Sequence, residues 1–247
     1  MPEMGLETEM IRAVFFDLYG TLIDISTDEY DSWVYETLSR YLNYHSVNIA
    51  PEELKREYFD AIRQYLNQSR ELHPEVDVYK IFFGIVNKYG KKRFTKGIII
   101  DIAMLFRSLT IRRFSVFEGL YDALISLGKK NKLAIISDAQ WVFAEPEAAM
   151  LGLDQFFDLR FLSSRFGFKK PDVRLFHYAM EKLRVAPGES VYIGDNPYKD
   201  LIGAKKAGMK SILFRSQCRE YDGFQPDGCF YDYAELEKTL HEIIYAK

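Results

Sequence analysis

Short apolar runs that stop abruptly at chemistry-bearing polar residues mark both ends of this chain, and a long stretch of helical periodicity lies between them. The run Ala13-Val14-Phe15-Phe16-Asp17 predicts a short buried strand with a carboxylate at its C-terminal tip. Lys132-Leu133-Ala134-Ile135-Ile136-Ser137-Asp138 and Ser190-Val191-Tyr192-Ile193-Gly194-Asp195 repeat that design. Between these two, residues 163–172 read as a loop, punctuated by Gly167 and Pro171 and carrying Lys169 and Lys170. From 27 to 113 the pattern changes. Apolar residues recur at three- and four-residue intervals over 31–42, 52–66, 77–89 and 94–109, and Pro51 followed by Glu52 and Glu53 marks a helix start.

From 118 onward helix and strand patterns alternate. Helices are expected over 119–130, 144–151, 173–183, 200–207 and 233–245, with strands over 132–137, 158–162, 190–193 and 211–215. This alternation predicts an α/β fold: a Rossmann-like, doubly wound parallel sheet formed by 9–24 and 114–247, with a mainly helical cap inserted over 25–113. In such a sheet the strand tips share one edge, and the crevice outside that edge is where ligands bind. Asp17, Ser137, Lys170, Asp195 and Asp200 should therefore converge.

The 247 residues suffice for one core plus one insertion. With 33 basic and 36 acidic residues the net charge is −3, which gives no basic surface for a nucleic acid. The cluster Lys91-Lys92-Arg93 is brief and reads as a solvated face. No apolar stretch approaches the ~18 residues of a membrane span, since the run at 97–100 ends at Asp101. The first nine residues are acidic and lack the basic-then-apolar pattern of a secretory signal. Cys218 and Cys229 stand alone, as expected for reduced thiols in a cytoplasmic protein. The sequence leaves the oligomeric state open.

Each candidate residue has a chemical reading beside a plain one. Asp17 fits a carboxylate nucleophile, although strands also end in Asp as a turn residue. Gly20 lets the backbone approach an oxyanion, and N–H groups from Gly20 and Thr21 can cradle it. Ser137, next to Asp138, supplies a hydroxyl donor to a substrate and would equally serve as a helix cap. Lys170, made extended by the following proline, can place a cation near Asp17. Asp195 and Asp200 add two hard oxygen ligands to Asp17, the composition of a Mg²⁺ site; a turn followed by a helix cap is the ordinary explanation of that pair.

Four motifs in order, DLYGT at 17–21, ISD at 136–138, KKP at 169–171 and GDNPYKD at 194–200, resemble the haloacid dehalogenase superfamily. The resemblance implies a covalent intermediate on Asp17, a Rossmann-like core with an inserted cap, and Lys170 beside the nucleophile with Lys169 turned to solvent. It implies Mg²⁺ held by Asp17, Asp195 and the backbone carbonyl of Tyr19, with Asp200 binding through water or holding Lys170. The expected activity is a Mg²⁺-dependent phosphatase or phosphotransferase acting on a small phosphorylated metabolite. Tyr19 departs from that pattern. Phosphatases of this family carry a second Asp there as general acid and base, whereas the DxYGT form looks like the 2-haloacid dehalogenases. Those enzymes need no metal, have Ser in place of Asp195 and Asn in place of Asp138, and take the halide on a cap arginine, for which Arg56 and Arg63 are the possible counterparts. Dehalogenation is one alternative, and a phosphate-binding protein with little turnover is another. The missing proton could come from the Tyr19 hydroxyl, His45 or His73.

Overall fold

The computed structural model describes residues 10–245, with residues 244–245 described by backbone alone. The acidic start of the chain, residue 9 of the expected core, and residues 246–247 lie outside the described residues. The chain opens with strand β1 (Ala13–Phe16) and strand β2 (Ile23–Thr27), followed by helices α1 (Ser32–Tyr44), α2 (Pro51–Gln68), α3 (Val78–Tyr89) and α4 (Lys96–Thr110). Strand β3 (Ile111–Val116) then leads into α5 (Leu120–Gly128), β4 (Lys132–Ser137), α6 (Trp141–Met150), β5 (Leu159–Leu162), α7 (Val173–Leu183) and β6 (Ser190–Gly194). The last elements are α8 (Ile202–Lys206), β7 (Lys210–Phe214), β8 (Gly228–Phe230) and α9 (Leu236–Tyr245).

Six strands form one sheet in the order β5-β4-β1-β6-β7-β8, and every described pairing in it is parallel. This is the expected doubly wound α/β architecture. The strands are buried on both faces, which is why they read as continuous apolar runs rather than alternating ones. Val14, Phe16, Leu133, Ile135, Val191 and Ile193 pack with Leu124 and Leu236 on one face. Ala13, Phe15, Ala134, Ile136 and Tyr192 pack with Phe176 and Ala204 on the other. β1 occupies the centre, between β4 and β6, so its C-terminal tip lies between theirs.

Helices α1–α4 bury a separate apolar cluster that includes Tyr35, Leu38, Tyr58, Phe82, Ile102 and Phe106, joined by Val142 and Phe143 of α6. Their starts are locally encoded. Asp31, Asp77 and Thr95 accept from the backbone N–H groups of Trp33, Tyr79 and Ile98, and Pro51 opens α2 ahead of Glu52 and Glu53. Among the described residues no helix is long and apolar enough to cross a membrane.

The stretch 25–113 is not purely helical, however. β2 and β3 form an antiparallel ribbon pairing Ile23 with Val116 and Ile25 with Phe114. The expected limits at 24/25 and 113/114 fall inside these strands, so the helical unit hangs from the core on a paired ribbon. Two smaller differences concern the core. α6 starts at Trp141, three residues earlier than expected, and the three-residue edge strand β8 was not anticipated.

Candidate active site

At the tip of β1 the Asp17 amide donates to the Ile193 carbonyl at 2.8 Å, which continues the β1–β6 ladder one residue beyond the strand. The Asp17 side chain is thereby aimed outward at the sheet edge. Its Oδ1 accepts from the Leu18 amide at 2.8 Å and forms an ion pair with Lys170 Nζ at 3.0 Å, and among the described residues none holds Oδ2. Ser137 and Asp138 end β4, and Gly194 and Asp195 end β6. Asp138 Oδ1 accepts from the Lys170 amide at 2.8 Å, and its Oδ2 pairs with Lys199 Nζ at 3.3 Å. Asp138 thus anchors the loop that delivers the lysine.

The Lys170 side chain is fully buried, an expensive placement for an ammonium unless it is paired. It is paired: its Nζ lies 2.6 Å from Asp200 Oδ1 and donates to the Tyr192 hydroxyl at 2.8 Å, in addition to its contact with Asp17. Burial alone would lower the lysine, but the charges of Asp17, Asp200 and Asp138 outweigh it and hold the ammonium above its ordinary value. Asp200 also accepts from the Asn196 amide at 2.9 Å. Burial pushes the Asp200 carboxyl upward, and Lys170 opposes that rise. Asp200 therefore holds the lysine, one of the two roles the family resemblance implies. Tyr192, inside the β6 run, is a site residue that the sequence concealed as core.

Two glycines set the closeness of this edge. Gly20 adopts φ +83°, and a Cβ there would stand 2.6 Å from Asp195 Oδ2. A Cβ on Gly194 would stand 2.3 Å from Asp200 Oδ2. A side chain at either position would push the carboxylates away. Thr21 Oγ1 lies 3.5 Å from Asp195 Oδ1, and Ser137 is buried at its strand tip.

Asp17, Asp195 and Asp200 each offer a carboxylate oxygen, and these oxygens lie within 4.8 Å of one another. Three carboxylates face the single buried cation of Lys170. Burial and then the charge of Asp17 push the Asp195 carboxyl up, with Lys170 opposing. Hard oxygen donors with an excess of negative charge fit a hard divalent cation.

Tyr19 takes a different direction. Its hydroxyl donates to Glu147 Oε2, on α6. Glu147 Oε1 accepts from Arg107 Nε at 2.6 Å, and Oε2 lies 3.4 Å from Arg107 Nη2. The Arg107 guanidinium sits over the rings of Tyr19 and Phe143, with centroid distances of 5.3 and 5.1 Å. Burial, and next the charge of Glu147, hold the Tyr19 phenol well above its ordinary value. It is a donor at neutral pH rather than a base. The triad joins the β1 tip, α6 and α4, and so links the core to the helical unit.

Beside this triad lies a cavity of about 440 Å³, lined by Tyr19, Asp138 and Lys199 on the core side and by Glu29, Tyr58 and Arg107 on the helical side. Glu75 and Lys169 also line it. Lys169, expected to face solvent, is half-buried against the cavity, and its amide donates to the His73 carbonyl at 2.9 Å. The other sequence candidates are engaged elsewhere. Arg56 pairs with Glu53 and Arg63 with Asp60 on the exposed side of α2, His45 stacks on Tyr41 at 4.6 Å, and the His73 ring lies 6.3 Å from that of Tyr198. None of these four lines the cavity.

An all-parallel doubly wound sheet thus carries a carboxylate, a buried lysine and an acidic cluster at its C-terminal edge. Residues 11–208 match the family model of the haloacid dehalogenase-like hydrolases, and the chain belongs to that family. It is similar to the glyceraldehyde 3-phosphate phosphatase of Methanothermobacter thermautotrophicus, with 27% identity over 216 residues covering 85% of this chain and 88% of that one. The phosphoglycolate phosphatase of Colwellia psychrerythraea is 25% identical over 237 residues, covering 93% and 96% of the two chains. The structure of a 2-haloacid dehalogenase from Pseudomonas syringae shares the fold, with a TM-score of 0.65, 20% identity and coverage of 94% and 99%. A haloacid dehalogenase-type phosphatase structure from Thermococcus onnurineus gives 0.59, 22%, 93% and 98%.

Proposed function

We propose that this hydrolase is a Mg²⁺-dependent phosphatase of a small phosphorylated metabolite, working through an aspartyl phosphate on Asp17. The observation that carries the reading is the carboxylate cluster of Asp17, Asp195 and Asp200 beside a fully buried Lys170. A dehalogenase has no use for so much negative charge facing an anionic substrate. The phosphatase names of the relatives support the same choice.

Asp17, Asp195 and the main chain at Tyr19 would hold the cation, with Asp200 fixing Lys170 behind them. When bound, Mg²⁺ supplies the positive charge that lets two anions approach and stabilises charge on the transferring phosphoryl group. The protein's own part is positional. Leu18 N–H and Lys170 fix Oδ1 of Asp17, which leaves Oδ2 to attack phosphorus while the ester P–O bond breaks. The leaving oxygen takes up a proton, and water then attacks the aspartyl phosphate, releasing phosphate and restoring the carboxylate. Ser137 and the backbone around Gly20 offer donors to the phosphoryl oxygens.

Tyr19 supplies no second carboxylate, and its hydroxyl is committed to Glu147. Substrates whose leaving group needs no proton, such as acyl or aryl phosphates, should therefore turn over fastest relative to the family norm. Incubation of a panel of phosphate esters including p-nitrophenyl phosphate, with Mg²⁺ or with EDTA, tests the reading. The expected result is turnover with Mg²⁺, lost with EDTA and reduced at least ~10³-fold in Asp17→Asn. Chloride release from 2-chloropropionate that persists in EDTA would establish the dehalogenase instead.

A further inference from the structure

The cavity beside the strand tips must receive whatever organic group the phosphate carries, so the charges on its walls sort substrates. Glu29, in the turn between β2 and α1, is half-buried and lines this cavity. Its carboxylate has one long hydrogen bond, received from the Tyr58 hydroxyl at 3.3 Å, and no ion pair within 4 Å among the described residues. Arg107, on the same wall, directs its Nε and Nη2 at Glu147. One cation therefore stands between two carboxylates, Glu147 and Glu29, and both bear on it. Burial pushes the Glu29 carboxyl up, with Arg107 and then the Tyr58 hydroxyl opposing.

Glu75, Asp138, Lys169 and Lys199 are the other charged groups of the wall. Glu75 is satisfied by the Ser163 hydroxyl at 2.8 Å and the Val76 amide at 2.9 Å. Lys199 pairs with Asp138 at the β4 tip, and Lys169 precedes Lys170 in the motif loop. The charge of Lys169 acts on Glu75.

We propose that Glu29 is a specificity-determining residue of this cavity, accepting phosphate esters whose organic part carries a hydroxyl or ammonium donor and rejecting those that carry a second carboxylate. The proposal rests on the phosphatase reading of the adjoining site. A carboxylate-bearing ligand would meet the unpaired charge of Glu29 beside a guanidinium already shared with Glu147, whereas an ammonium or hydroxyl would add to the one long hydrogen bond of Glu29.

The test is calorimetric titration of the whole protein, with Mg²⁺ present, by two phosphonates of similar size that cannot be hydrolysed: 2-aminoethylphosphonate and phosphonoacetate. The ammonium compound should bind at least ~10-fold more tightly. In Glu29→Gln, which keeps an acceptor for Tyr58, this ratio should fall to about threefold or less, and Glu29→Asp should restore most of it. Equal or tighter binding of phosphonoacetate, a ratio unmoved in Glu29→Gln, or binding of neither compound overturns the proposal. Turnover of p-nitrophenyl phosphate, followed in the same preparations, reports separately on the phosphatase reading, because it needs no recognition at Glu29.

Discussion

The strand-tip edge and the cavity wall differ in how they acquire their geometry. At the edge, Asp17, Ser137 and Asp195 end adjacent strands, so sheet register alone brings them together, and Lys170 is pinned through its backbone by Asp138. Along the wall, Glu29 comes from a turn and Arg107 from α4, with Glu147 of α6 behind Arg107; the Tyr58 hydrogen bond to Glu29 and the Arg107–Glu147 pair orient these side chains. The edge is fixed by the backbone and serves chemistry common to a family. The wall is fixed by side chains, so it can change without altering the strand register. Tyr19 stands where the two regions meet: its backbone belongs to the edge and its hydroxyl to the wall.

The strongest way to break this division is to give the edge the carboxylate it lacks. Tyr19→Asp alone would set an acid facing Glu147, a repulsion that works against its use. The pair Tyr19→Asp with Glu147→Gln removes the repulsion. Phosphatase kcat/KM on alkyl phosphates should rise in the double variant by ~10²-fold or more, within the 10²–10⁴ range of general acid–base assistance, and by less in the single one. A double variant no faster than the wild type would mean that the edge lacks more than an acid.

The next effect is on stability. Glu147 and Arg107 are a buried pair with side-chain exposures of 5% and 11%. Replacing either one by leucine leaves the other uncompensated and should cost about 3–5 kcal/mol in urea unfolding. Replacing both should cost clearly less than the sum. Additive losses would show that the pair is not a unit. The smallest effect is expected from Tyr19→Phe, which removes one hydrogen bond to a carboxylate, about 1–3 kcal/mol. Because burial holds the Tyr19 phenol above its ordinary value, it stays protonated up to about pH 10. The alkaline side of the pH–rate profile should therefore be the same in Tyr19→Phe as in the wild type, and an alkaline limb that disappears in the variant would show that the phenol titrates during turnover.

What was legible in the sequence follows the same division. The runs ending at Asp17, Asp138 and Asp195 could be read because a buried parallel strand needs a continuous apolar run and its tip must change character. The ribbon was harder, since its halves lie more than eighty residues apart. Its signal was nonetheless present as two short alternating segments, Ile23-Asp24-Ile25-Ser26 and Arg113-Phe114-Ser115-Val116, flanking the helical stretch. Arg107 and Glu147 also left a trace. Each is a charge on the buried stripe of its helix, one turn from Ala103 and Phe143 respectively, where an ion survives only if it is paired. Nothing in the sequence pairs them with each other, nor aims Glu29 into a cavity, because those relations arise only in tertiary packing. Tyr192 was hidden for the opposite reason: it obeys the strand pattern while its hydroxyl reaches Lys170.

The ribbon is not the only tie between the two units. Residues 73–77 run against the motif loop, where the Lys169 amide donates to His73, the Glu75 amide to Gly167, and the Ser163 hydroxyl to Glu75. The helices are thus tethered at a second place, one residue away from the lysine that pairs with Asp17. The helical unit is therefore held both by the ribbon and by the loop that carries Lys170. The loop that presents Lys170 to Asp17 is in this way also part of the helical unit's attachment.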